Sequence, residues 1–88
     1  MAKYQRKKKN QVDKIKGRVI DGLLNAGVIN QRQREVQKAE ECYRMILELD
    51  PLNFNGLYML GVLHAECGKM QDALEFLNLC LSKWPMIH

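Results

Sequence analysis

The sequence predicts an all-α chain built from two similar helical hairpins, and three observations point there. Apolar residues recur in steps of three and four through most of the chain, which sets them along single helical faces. Sliding the 88-residue chain back by 34 positions superposes Leu23 on Leu57, Gly27 on Gly61, Ala39 on Ala73, Tyr43 on Leu77, Leu47 on Leu81 and Pro51 on Pro85. Residues that stop or cap helices, Pro51, Asn53 and Gly68, fall between the apolar runs. A fixed internal period of this length is the mark of stacked repeats. A chain of this size is one domain with a small core, which buries only about 60 to 65% of its unfolded surface.

Residues 1–11 (MAKYQRKKKNQ) are polar and charged, and the consecutive cations Arg6, Lys7, Lys8 and Lys9 repel one another. They are expected to form a basic head that is disordered or frayed. From Val12 a stripe appears at Val12, Ile15, Val19, Leu23 and Ala26, so the first helix starts before the repeat frame does. Gly17 and Gly22 each cost about 1 kcal/mol relative to Ala inside a helix, which makes a break near Gly17 the alternative. The polar segment 30–34 (NQRQR) interrupts the pattern, which resumes at Val36, Ala39, Tyr43, Ile46 and Leu47. This second helix is expected to stop near Leu49, because Pro51 lacks an amide proton and disfavours a helical residue before it. Asn53 offers a side-chain acceptor to begin a third helix from 54 to about 67, and Gly68 can take the left-handed conformation just past its end. The last helix, about 70–83, carries Met70, Ala73, Leu77, Cys80, Leu81 and Trp84 inward. The division is then a head at 1–11 and one domain at 12–88, with repeat one near 20–53 and repeat two near 54–87.

The second copy sets Leu57, Leu60, Gly61, His64, Ala73, Leu77 and Pro85 at the spacings W-x2-L-G-x2-Y, A-x3-F and P. On those residues the chain resembles the tetratricopeptide repeat (TPR) family. The resemblance covers about 20–85 and implies two helix-turn-helix repeats forming a short right-handed α-solenoid with an N-terminal helical extension. It also implies antiparallel helices in close approach, with the small residues Gly27, Gly61, Ala39 and Ala73 at the crossings. Leu23, Tyr43, Leu47, Leu57, Leu60, Leu77 and Leu81 fill the space between them, and Pro51 and Pro85 close the repeats. Leu57 stands for the usual Trp and His64 for the usual Tyr, while Ala26 and Asn30 depart in the first copy. The stretch AEECYRMILELDPLNFNGLYMLGVL is similar to TPR arrays that precede bacterial glycosyltransferase domains.

A TPR resemblance implies a protein or peptide partner held on the concave face made by the first helix of each repeat. By helical phase that face carries Leu24, Asn25, Val28, Gln31 and Arg32, then Asn55, Tyr58, Met59, Val62 and Glu66. A Lys/Arg/Asn carboxylate clamp is not expected, because only Asn25 stands at a matching place. The mostly apolar lining suits an apolar or amphipathic segment. Leu74, Phe76 and Leu79 lie beside the inward set of the last helix, and a helix apolar nearly all round is expected to be covered, with Trp84 joining those three in the self-association surface. No third repeat or polar cap follows, so a homo-oligomer pairing through this helix is expected, the alternative being an N-terminal piece of a larger glycosyltransferase-like enzyme.

Other classes have less support. Catalysis needs a nucleophile beside a base, a carboxylate pair in a pocket, or a metal site; the chain has two histidines and no phosphate-cradling Gly-rich loop, so it is read as no enzyme, without cofactor. His64, Cys67 and Cys80 are an imaginable zinc set, but packing explains His64 and Cys80, and no metal is expected. The first 19 residues carry eight Lys/Arg against one Asp and the rest six against nine acids, so a basic head precedes a mildly acidic body. Lys3, Arg6, Lys7, Lys8, Lys9, Lys14, Lys16 and Arg18 could contact nucleic acid or acidic lipid; a solvated tail is the simpler reading. There is no run of 18 apolar residues, and 12–29 is too interrupted for a signal peptide. Three cysteines without a CxxC pair favour a reducing compartment, the cytoplasm by default.

Overall fold

The computed structural model describes residues 2–84, with side chains from 12 to 84. Among the described residues there are four helices and no strand: α1 (Ala2–Arg32), α2 (Val36–Leu49), α3 (Phe54–Glu66) and α4 (Met70–Lys83). The loops between them are too short to do anything but reverse direction, so α1 and α3 run one way and α2 and α4 the other. Each hairpin packs on itself, α3 also packs on α2, and among the described residues α1 makes no contact with α4. This is the all-α helical-repeat fold the sequence predicts.

Local chemistry explains where the helices stop. Asn53 accepts a hydrogen bond from the Gly56 amide at 2.9 Å, capping α3 as expected. Both hairpin turns close alike, one period apart. Arg34 has φ 63° and Gly68 φ 79°. The Arg34 amide donates to the Gln31 carbonyl at 3.1 Å and the Glu35 amide to the Asn30 carbonyl at 2.8 Å. In the second turn Gly68 donates to Ala65 at 3.1 Å and Lys69 to His64 at 2.8 Å. Glycine takes this conformation without a steric cost, whereas Arg34 bears roughly 1 kcal/mol for it.

The small residues lie where the helices cross. A Cβ on Gly27 would come within 2.4 Å of the Tyr43 ring, and one on Gly61 within 2.7 Å of Leu77. Gly27, Ala39, Tyr43, Leu57, Leu60, Gly61 and Ala73 are buried, and Leu23, Leu47 and Leu77 half-buried. The core gathers around Ile20, Tyr43, Ile46, Leu60 and Leu63, where the two hairpins meet. Ile20 and Leu63 are additions to the expected packing set. Leu63 is buried beside His64 because α3 is covered on two sides, by α2 and by α4.

Several expectations need correcting. Helix α1 continues unbroken through Gly17 and Gly22 back to Ala2, where a head outside the helix was expected. Its stripe is not core throughout: Val12, Ile15 and Val19 are exposed, because α1 spans about 46 Å and α2 only about 21 Å at 1.5 Å per residue. Leu81 and Met70 are each 56% exposed rather than inward. Pro51 is exposed, so it acts by ending α2 rather than by packing. Pro85 lies outside the described residues.

Candidate functional site

The face shared by α1 and α3 carries two adjoining clefts. Val28, Gln31 and Arg32 from α1 and Met59 and Glu66 from α3 line one of about 290 Å³. Gln31, Arg32 and Glu66 continue into a second, of about 420 Å³, completed by Arg34, Val36, Leu63 and Cys67. Parallel α1 and α3, joined through α2, bring residues that are 27 to 38 positions apart in sequence to opposite walls.

A hydrogen-bond chain fixes the middle of this face. The Tyr43 hydroxyl donates to Gln31 Oε1 at 2.7 Å, and Gln31 Nε2 donates to Glu66 Oε1 at 2.7 Å. Burial, reinforced by the nearby Cys42 and Glu66, pushes the Tyr43 phenol above its usual range, so the donor stays protonated. The buried ring therefore anchors half-buried Gln31 and, through it, exposed Glu66, while Arg32 and Arg34 stand exposed beside them. The clefts combine cations, a carboxylate and an amide with Val28, Met59 and Leu63.

Five of the ten residues expected on the groove thus meet in one cleft: Val28, Gln31, Arg32, Met59 and Glu66. Asn25 and Asn55 are exposed outside both clefts and Val62 is half-buried outside them. Leu24 packs against the core instead. Tyr58 stacks on Phe54, with ring centroids 5.7 Å apart, and lines a different cleft with Leu77, Cys80 and Leu81. The groove consequently loses its aromatic and is more polar than its sequence reading. Arg34, Val36, Leu63 and Cys67 line the second cleft beyond the residues that helical phase places there. The one signal for Arg34 is its place a full period before Gly68, which marks it as a turn residue facing the end of α3.

The residues expected to join two copies divide. Leu74 and Leu79 are exposed. Phe76 is turned inward, stacked on His64 at 5.4 Å with Arg44 lying 6.0 Å from its ring centre, because it closes the gap between α4 and the core. Trp84 is 47% exposed but tied down: its indole N–H donates to the Leu52 carbonyl at 2.7 Å, and its ring meets Phe54 edge-on.

His64, Cys67 and Cys80 have three different surroundings. His64 is buried against Phe76, with Nε2 4.0 Å from Glu40 Oε2 and no hydrogen-bond partner. Cys67 is exposed, and the Cys80 thiol, pushed up in pKa by burial, donates to the Phe54 carbonyl at 3.9 Å. Among the described residues no three His, Cys, Asp or Glu side chains are grouped to hold a metal, and no helix is long and apolar enough to cross a membrane.

Comparison with known proteins agrees with the period seen in the helices. Residues 42–75 match the family model described as tetratricopeptide repeat. The match begins within α2, takes in all of α3 and ends within α4, so it spans one full period that starts 12 residues ahead of the second repeat as framed from the sequence. It includes Tyr43, Leu57, Leu60, Gly61 and Ala73, the residues packed at the crossings. Neither the curated proteins nor the solved structures give a match to the chain. On this match and this geometry, residues 42–75 are similar to one tetratricopeptide repeat, set within an all-α helical-repeat fold.

Proposed function

We propose that the chain is a protein-interaction module that takes an amphipathic segment of a partner along the α1–α3 face. The observation that carries this reading is the convergence of Val28, Gln31, Arg32, Met59 and Glu66 on one cleft that opens into a second. Apolar contacts from Val28, Met59 and Leu63 would supply affinity. The arginines and Glu66 would set orientation through complementary charge. An amphipathic helix fits this lining better than a wholly apolar strand, because the walls carry both kinds of contact.

The test begins with peptides selected from a random display library and titrated by fluorescence anisotropy. Val28→Glu or Met59→Glu should weaken a selected peptide at least about tenfold, since each puts a charge against buried apolar surface. Tyr58→Ala lies off the groove and should leave it unchanged. Equal affinity for parent, Val28→Glu and Met59→Glu would remove the groove from the account.

A second reading rests on Leu74, Leu79, Leu81 and Trp84, each 40% to 56% exposed around α4. We infer that this end of the molecule meets a second copy of the chain. The three unpaired cysteines fit work in a reducing compartment such as the cytoplasm.

A further inference from the structure

We propose that the occupant of the cleft between α3 and α4 is the exposed N-terminal half of α1 from a second copy. This rests on the self-association reading above and names the segment that makes the contact.

The cleft is apolar, about 220 Å³, and lined by Phe54, Tyr58, Leu77, Cys80 and Leu81. Each of these residues stands one 34-residue period after a residue of the first hairpin: Ile20, Leu24, Tyr43, Ile46 and Leu47. Those five are in or against the core, because α3 lies on them. The first hairpin therefore displays the occupant that the second is shaped to receive. It is a helix that sets Gly56 against Ile46 and Leu47, with Met59 and Leu63 following on the same face.

The spacing of those three contacts is i, i+3 and i+7. The free half of α1 presents Val12, Ile15 and Val19 at that same spacing, 57%, 62% and 45% exposed. Among the described residues a chain's own α1 makes no contact with its α4, so the stripe would reach this cleft only on another molecule. Charge favours the pairing as well. The first 19 residues carry eight Lys/Arg against one Asp, whereas the remainder carries six against nine acids. A helix lying on the cleft as α3 lies on the first hairpin runs antiparallel to α4. Its basic N-terminal end then meets the C-terminal end of α4, where the helix dipole is negative and Lys83 is the basic residue of the last turn.

The experiment is sedimentation equilibrium on the full chain across a concentration series, beside Ile15→Glu and Leu81→Glu. Both positions are exposed, and circular dichroism matching the parent shows that each variant folds. The parent should associate, and each variant alone should associate at least about tenfold more weakly. An equimolar mixture of the two variants should regain a dimer, because one supplies an intact cleft and the other an intact α1. Association broken by Leu81→Glu but untouched by Ile15→Glu would overturn α1 as the occupant while leaving α4 as a meeting surface. A mixture that stays monomeric would also overturn it. A parent that is monomeric throughout would overturn both this proposal and the self-association reading.

Discussion

The two hairpins carry one pattern and end in different surroundings. Ile46 is fully buried and its counterpart Cys80 nearly so, but Leu47 packs against the core where Leu81 is 56% exposed, and Ile20 is buried where Phe54 is only half-buried. The turns differ in the opposite sense: Gly68 meets the left-handed conformation freely, while Arg34 is forced into it. A position in a repeat fixes the direction a side chain points, and the presence of a following helix fixes how deeply it is buried. In the first hairpin α3 is that helix; among the described residues the second hairpin has none.

The largest expected contrast is between Tyr43 and Leu77, which press on Gly27 and Gly61 in the same way. Tyr43→Ala should cost about 3 to 5 kcal/mol, since it empties a fully buried site and breaks the bond to Gln31, and Leu77→Ala only about 1 to 2. Urea unfolding of the pair measures both. Equal losses would mean that α3 adds little to the first hairpin.

Glycines give the next contrast, within α1 itself. Gly27→Ala drives a methyl into the Tyr43 ring, which cannot retreat from a fully buried site. It should destabilise by about 1 to 3 kcal/mol despite the better helix propensity. Nothing lies within 4 Å of a Cβ on Gly17. Gly17→Ala should therefore stabilise the helix by about 0.5 to 1 kcal/mol. Thermal melts of the two variants should move in opposite directions. A gain for both would place the close approach of α1 and α2 elsewhere.

The smallest effect lies in the turns. Arg34→Gly should raise stability by about 0.5 to 1 kcal/mol, relieving the left-handed residue, and Gly68→Ala should lower it by about 1. If Arg34→Gly stabilises the fold and weakens a groove peptide, the strain at Arg34 is retained for binding.

What could be read from the sequence was whatever depends on neighbours along the chain. Asn53 as a cap, Gly68 as a left-handed turn, Pro51 as the end of α2 and the glycines at the crossings each follow from the backbone chemistry of a few adjacent residues. The shared α1–α3 face of Val28, Gln31 and Arg32, one or two turns from the α1–α2 crossing, also follows, because helical phase carries that far. Burial of Leu63 and Ile20 was not, since it depends on α3 being covered from two sides and on α3 reaching back to α1. Tyr58 was assigned to the groove by phase, but stacking on Phe54 draws it to the next cleft. Phe76 looked like surface because its partners, His64 and Arg44, lie on two other helices. The apolar stripe at Val12, Ile15 and Val19 has the period of a core face, and only the short length of α2 shows that none of the described residues covers it.

The central claim, that an adjacent helix rather than repeat position determines burial, is tested most directly by one pair. Leu47→Ala and Leu81→Ala remove the same atoms from equivalent positions, and chemical unfolding at high dilution keeps copies apart. Leu47→Ala should lose about 1.5 to 2.5 kcal/mol and Leu81→Ala less than about 0.5. Equal losses at both positions would contradict the account.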